Sequence, residues 1–242
     1  GSVADVINTV EALHERRLAS FADQIASRVP RPHVVLVAGP SSAGKTTFAM
    51  RLCTHLRVLG LKPALLSTDN YFVGDARNPR DAAGNLDYEH LDAVDRPRLN
   101  LDLIRLLRGE TIALRKFDFK QREGYDSDET LALDPQRGVL VIEGIHALNP
   151  DLTPDIPRQE KFLIYVNALT QLAIDRNNRI STIDNRLLRR MVRDGQFRGR
   201  SPRETLRLWP SVRAGEERWI FPFQHCADAV FNTALDYEIP VL

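Results

Sequence analysis

His33-Val34-Val35-Leu36-Val37-Ala38 runs directly into Gly39-Pro40-Ser41-Ser42-Ala43-Gly44-Lys45-Thr46, with Thr47 following. The first part is a short unbroken apolar run rich in β-branched residues, the pattern of a strand buried on both faces of a parallel sheet. The second part fits G-x-x-x-x-G-K-[ST] at every position. Its glycines let main-chain N–H groups turn inward into an anion-binding nest, and the helix that must follow contributes the partial positive charge of its N-terminus. Residues Gly39 to Thr47 are therefore expected to bind ATP, with Lys45 reaching the β- and γ-phosphates and the Thr46 hydroxyl holding Mg²⁺. At background frequencies the pattern arises by chance in about one in a hundred chains of this length. The strand before it and the helical pattern after it are both present, so an incidental turn is set aside.

Outward from this loop the chain alternates between the two periods. A helix is expected from Lys45 to Leu59, stopped by Gly60, then a strand over 63–67 ending at Thr68-Asp69. Residues 73–87 read as a surface loop. Residues 99–107 have helical spacing, and 111–119 and 130–133 read as strands flanking a loop over 121–129, together a hairpin. Val139-Leu140-Val141-Ile142 after Gly138 is another doubly buried strand, ending in Glu143, and 162–166 is a further one. Helices fit 169–178, 185–197 and 202–219, and a last strand fits 229–231. Upstream, Val6, Val10, Leu13, Leu18, Phe21 and Ile25 space an amphipathic helix that Pro30 and Pro32 stop. Strands alternating with helices imply a doubly wound parallel α/β sheet. Here it carries a small β-hairpin insertion and an arginine-rich helical lid at about 179–201. A helical segment over 1–32 precedes the main domain over 33–242.

Composition narrows the partners. The chain has 242 residues, 43% of them apolar, enough for one full-sized core. Its 33 basic and 32 acidic residues leave a net charge of +1, which gives no reason to expect nucleic acid or an anionic membrane surface. No apolar run approaches the ~18 residues of a membrane span. Cys53 and Cys226 stand far apart without metal-ligand spacing, as reduced thiols in a cytoplasmic protein would. The opening Gly1-Ser2 reads as the remnant of a removed affinity tag, so the natural protein is expected to extend further upstream.

Phosphoryl transfer needs positioning and charge neutralisation more than covalent chemistry. Acids at the carboxyl ends of parallel strands sit where ligands of such sheets bind. Glu143 is therefore expected to serve Mg²⁺, and Asp69 to accept the proton of an attacking hydroxyl. Strand-end acids also cap helices, and it is the nearby phosphate loop that favours the chemical roles. Arg186, Arg189, Arg190, Arg193, Arg198 and Arg200 crowd one segment, and on a helix Arg186, Arg190 and Arg193 share a face. Closing over the phosphates, such a lid would stabilise transition-state charge. A solvated basic face is the ordinary alternative, and without interleaved aromatics an RNA surface is disfavoured.

Six ordered motifs then resemble the uridine kinase branch of P-loop kinases, which also includes phosphoribulokinases. They are the phosphate loop, Thr68-Asp69-Asn70-Tyr71-Phe72, Asp87-Tyr88-Glu89-His90-Leu91-Asp92-Ala93-Val94-Asp95, Phe117-Asp118-Phe119, Val141-Ile142-Glu143-Gly144-Ile145-His146-Ala147-Leu148 and Arg189-Arg190-Met191-Val192-Arg193-Asp194. The resemblance spans His33 to Pro240. It implies an ATP- and Mg²⁺-dependent kinase acting on a small-molecule hydroxyl, with Asp69 as base and Glu89, preceded by Tyr88, gripping ribose hydroxyls. It further implies Glu143 at the metal, Arg190, Arg193 and Arg198 on phosphate, and Tyr71, Phe117, Phe119 and Arg122 around the acceptor.

The departures from that pattern bear on the acceptor. Phe117 and Arg122 stand where pyrimidine nucleoside kinases carry a Tyr and a His, and Leu208 where they carry a Gln on the helix after the lid. Weak or no activity on uridine and cytidine is expected. Residues 178–219 are most similar to a bacterial subgroup in which a region resembling the N-terminal part of threonyl-tRNA synthetase precedes the kinase. Three readings follow: a kinase of a nucleoside or nucleoside-like molecule, a sugar-phosphate or polyol kinase resembling phosphoribulokinase, and a regulatory nucleotide-binding module without turnover. A GTPase is disfavoured because the guanine-reading N-K-x-D is missing from the sequence. The oligomeric state, a homo-oligomer included, is left open.

Overall fold

The computed structural model describes residues 2–81, 84–119, 121–170 and 175–242. Five parallel strands form its centre: β1 (Val34–Ala38), β2 (Lys62–Ser67), β5 (Gly138–Glu143), β6 (Lys161–Asn167) and β7 (Ala229–Asn232). Their order is β2-β5-β1-β6-β7, so β1 lies in the middle and the phosphate loop leaves the sheet at its centre. β1, β5 and β6 are buried along their whole length. That is why they read as unbroken apolar runs rather than as alternating ones.

The alternation of side chains splits the core into two layers. Val34, Leu36 and Ala38 of β1, with Leu140, Ile142 and Leu163, pack on one side against α3 (Arg96–Leu107) and the hairpin. Val35, Val37, Val141 and Ile164 pack on the other against α1 (Val3–Ser27) and α2 (Lys45–Val58). Leu18, Phe21, Ala22 and Ile25, all in the C-terminal half of α1, are its buried residues. Two further helices, α4 (Thr182–Phe197) and α5 (Pro202–Trp219), lie beyond β6 in sequence.

Several boundaries differ from the sequence reading. Most of the loop expected over 121–129 is strand: β3 (Ile112–Asp118) pairs antiparallel with β4 (Glu123–Leu131). Its residues are polar, and ion pairs replace apolar packing, with Arg115 on Asp126 at 3.5 Å and Lys116 on Glu129. A hairpin that packs only one face can carry such residues, and they conceal the period of two. α3 starts earlier than its apolar spacing, because Asp95 caps it and Pro97 occupies its first turn. α4 likewise starts at Thr182, where the Ser181 hydroxyl caps it. The centre of the helix expected over 169–178 lies outside the described residues, and its described flanks are not helical.

Candidate active site

Parallel register brings the functional strand ends level. Glu143, the last residue of β5, is opposite Val37 on one side, one residue before the end of β1, and opposite Ser67, the last residue of β2, on the other. The loop after β1 therefore emerges beside a carboxylate and beside the turn that carries Asp69. Gly44 adopts φ +86, a left-handed conformation that glycine takes without strain, and forms the N-cap of α2. Lys45 and Thr46 then open that helix, with the Lys45 ammonium donating to the Pro40 carbonyl at 3.2 Å.

A cavity of about 280 Å³ lies against this loop. Ser41, Lys45, Thr46, Asp69 and Glu143 line its floor. Phe72, Tyr88, Phe117 and Phe119 form an aromatic wall of edge-to-face contacts, with Phe72 and Phe117 centroids 5.6 Å apart and Phe117 and Phe119 5.2 Å apart. Glu89, Arg122, Ile145, Arg190, Arg193, Arg198 and Arg200 complete the lining. A second depression, lined by Ser42, Gly44, Lys45, Thr46, Thr47, Arg189 and Arg193, borders the same loop on its outer side.

Burial and mutual charge tune these groups. Glu143 is 5% exposed. Burial, with the charge of Asp69, holds its carboxyl above the usual range, against the pull of Lys45 and of hydrogen bonds from Ser67 and Thr46. The Ser67 hydroxyl donates to it at 2.6 Å. Burial pushes the Glu89 carboxyl up to about 7; Glu216 and Asp69 reinforce this, while Arg190 and Lys45 oppose it. Glu89 Oε2 is buried without a hydrogen-bond partner. The backbone of Gly215 lies so close that any side chain there would strike the Cβ of Glu89. Burial also lowers Lys45, Arg190 and Arg198 from their ordinary values.

α4 and α5 are fastened to the phosphate loop through Ser41. Its N–H donates to Glu216 Oε1 at 3.2 Å, its carbonyl accepts from Arg186 at 3.1 Å, and its hydroxyl accepts from Arg190 at 2.6 Å. Arg186 and Glu216, 1% and 0% exposed, form a bidentate pair, the second bond being 2.8 Å. Arg186 is thus a structural cation and not a third member of the cavity face that helical spacing suggested. Arg189 turns away to Thr233 and Glu238.

One expectation about the acceptor end does not hold, and a second holds with its charge already paired. Tyr71 is fully buried and donates to Asp102 Oδ2 at 3.1 Å, in the core beside α3. Its neighbour Phe72 faces the cavity instead. Arg122 does line the cavity, but its charge is paired with Asp75 at 2.9 Å, and Asp75 also accepts from the Tyr88 hydroxyl. Leu208 is exposed and outside the lining. The sequence reading also passed over Phe72, Ile145 and Arg200 as lining residues. All three sit inside stretches it had singled out, and a count of alternate residues from Asp69 would have favoured Phe72 less than the distal Tyr71.

Among the described residues no three His, Cys, Asp or Glu side chains gather into a self-sufficient metal site. Thr46 and Glu143 offer the hard oxygen donors that suit Mg²⁺, an ion that characteristically fills its shell with phosphate oxygens and water. Among the same residues no helix is long and apolar enough to cross a membrane.

Residues 34–240 match the profile of the Phosphoribulokinase / Uridine kinase family. A uridine kinase of Deinococcus deserti is 29% identical over 201 residues, covering 83% of this chain and 87% of that one. Among solved structures, a possible uridine kinase from Bacillus stearothermophilus superposes with a TM-score of 0.55 at 20% identity, covering 90% of this chain and 98% of that one. A D-glycerate 3-kinase from Cryptococcus neoformans does so with a TM-score of 0.52 at 16% identity, covering 88% and 89%. At such identities the structural likeness speaks for the shared α/β fold.

Proposed function

Since this chain belongs to the Phosphoribulokinase / Uridine kinase family and is an ATP-dependent small-molecule kinase, we propose that it phosphorylates a hydroxyl of a nucleoside or nucleoside-like molecule. The observation that carries this reading is one cavity holding the phosphate-loop residues Lys45 and Thr46 together with Asp69, Glu89 and an aromatic wall. The wall suits the flat face of a base or sugar ring, and the two carboxylates suit its hydroxyls.

In this reading Gly39 to Thr47 cradle the ATP phosphates and Lys45 neutralises their oxygens. Mg²⁺ held by Thr46 and Glu143 would add further charge neutralisation at the β- and γ-phosphates. Glu89 orients the acceptor through its hydroxyls, and Asp69 takes the proton of the attacking one. Arg190, Arg193 and Arg198, on the segment 179–201, donate to the transferring phosphoryl group. The helical segment 1–32 is read as packing support for the kinase unit over 33–242.

A polyol or sugar-phosphate acceptor is the second reading. It is favoured by a lining that, among the described residues, carries four guanidinium groups from the α4 region and no imidazole or amide side chain to read a pyrimidine edge. Steady-state ADP release across nucleosides, pentoses, polyols and sugar phosphates, with wild type and Asp69→Asn, tests both. Turnover on one class that Asp69→Asn abolishes, with ATP binding intact, is expected. Efficient phosphorylation of uridine, at or above the ~10⁴ M⁻¹s⁻¹ typical lower range of kcat/KM, would refute altered specificity. Turnover by Asp69→Asn at the wild-type rate would remove Asp69 as the base.

A further inference from the structure

Three of the arginines that face the cavity share one buried partner. Asp194, on α4, has a side chain that is 0% exposed. Its Oδ1 accepts from Arg193 Nε at 3.1 Å and Nη2 at 2.9 Å, and lies 3.8 Å from Arg198 Nη1. Its Oδ2 lies 3.4 Å from Arg190 Nε and accepts from the Thr205 hydroxyl at 3.5 Å. The main-chain carbonyl of Asp194 accepts the N–H groups of Arg198 and Arg200, both at 3.1 Å, so the end of α4 is fastened at the same residue. Asp194 itself does not line the cavity.

Guanidinium groups crowded at one end of a cavity repel one another, and each must also give up rotamer freedom to stay there. A carboxylate in their midst offsets the repulsion and fixes the rotamers before any phosphate arrives. It occupies only part of each donor set, since a guanidinium has five N–H groups. Arg190 still gives one to the Ser41 hydroxyl of the phosphate loop.

We propose that Asp194 is a positioning residue that holds Arg190, Arg193 and Arg198 converged on the cavity, so that the transferring phosphoryl group meets a preassembled set of donors. The proposal rests on the roles given above to those arginines. It has a signature that ordinary structural support lacks. Asp194 competes with phosphate for the same guanidinium groups in the ground state, yet aims them for the transition state. Neutralising it should therefore strengthen nucleotide binding while slowing turnover.

The experiment compares the full chain with Asp194→Asn. ATP and inorganic pyrophosphate affinities are measured by calorimetry at two salt concentrations. ADP release is followed with the acceptor found in the panel, or as slow hydrolysis without one. For Asp194→Asn we expect ATP to bind about 3- to 10-fold tighter with a steeper salt dependence, and kcat to fall about 30- to 100-fold. Asp194→Glu, which keeps the charge, should recover at least about tenfold of that loss. Affinity and kcat falling together, or kcat within twofold of wild type, overturns the proposal. If Asp194→Asn does not fold, Thr205→Val takes its place, removing the hydroxyl on Oδ2 while keeping its shape. It should lower kcat about 2- to 5-fold at unchanged ATP affinity, and an unchanged kcat would count against the proposal equally. Absence of ADP release from wild type on any acceptor or water would end the kinase reading, while the affinity arm would still decide the part played by Asp194.

Discussion

Replacing Glu89 by Gln should make the protein more stable at alkaline pH and less able to hold its acceptor. The carboxyl titrates near 7 in the folded chain instead of at an ordinary 4.5, chiefly because it is buried. Below pH 4.5 it is protonated in both folded and unfolded states and contributes no pH-dependent difference. As pH rises past 4.5 the unfolded chain releases its proton while the folded chain retains it, so folding becomes progressively less favourable. The penalty is complete above about 7. The difference of about 2.5 between 4.5 and about 7, at ~1.4 kcal/mol per pH unit, amounts to ~3 kcal/mol. For a domain of this size that is a melting-temperature rise of roughly 6–12 °C for Glu89→Gln at pH 8.5. At pH 4 no pH-linked gain should be seen. Scanning calorimetry of both proteins at the two pH values measures it directly. Function should move the other way: the acceptor KM of wild type should fall as pH rises through about 7 and the carboxylate forms, and Glu89→Gln should lose that dependence. Equal melting temperatures of the two proteins at pH 8.5 would refute the reasoning, because the desolvated charge would then carry no cost.

Three further outcomes are expected. Lys45→Ala should weaken ATP binding and abolish turnover, since the ammonium facing the phosphate site is gone; unchanged affinity and rate, read by calorimetry and ADP release, would remove the loop from the chemistry. Glu216→Ala leaves Arg186 buried without its carboxylate and Ser41 N–H without its acceptor, and should cost about 3–5 kcal/mol in urea unfolding. The double change Arg186→Met with Glu216→Leu should cost less than the single one, and a single-variant loss under ~1 kcal/mol would contradict the buried-pair account. Tyr71→Phe should lower stability by about 1–2 kcal/mol through the lost bond to Asp102, while acceptor KM stays at the wild-type value; a rise in KM would return Tyr71 to the acceptor site.

How legible this protein is from its residues depends on the range over which each feature is written. The phosphate loop was legible because its chemistry is contiguous: the glycine conformations, the lysine and the hydroxyl all lie within Gly39 to Thr46. β1, β5 and β6 were legible because burial on both faces leaves an unbroken apolar run. The parallel α/β class followed from their alternation with helices. β4 was not, because a one-sided polar hairpin has no apolar period to read.

The tertiary structure alone decided which side chains meet. Tyr71 and Phe72 are adjacent aromatics in one quoted motif, and only the packing of the short helical turn sends one to the core and the other to the cavity. Arg122 carries a free charge in the sequence and a neutralised one in the fold, where Asp75 stands 2.9 Å away. Ser41 is joined to Arg186 and Glu216 across 145 and 175 residues, and no local pattern encodes such a contact. Local conformational preferences act within a few residues, so the sequence by itself determines the phosphate loop, the strands buried on both faces and the fold class. The aim of a buried charge depends on which distant partner the packed sheet and helices place beside it, and that the folded structure decides.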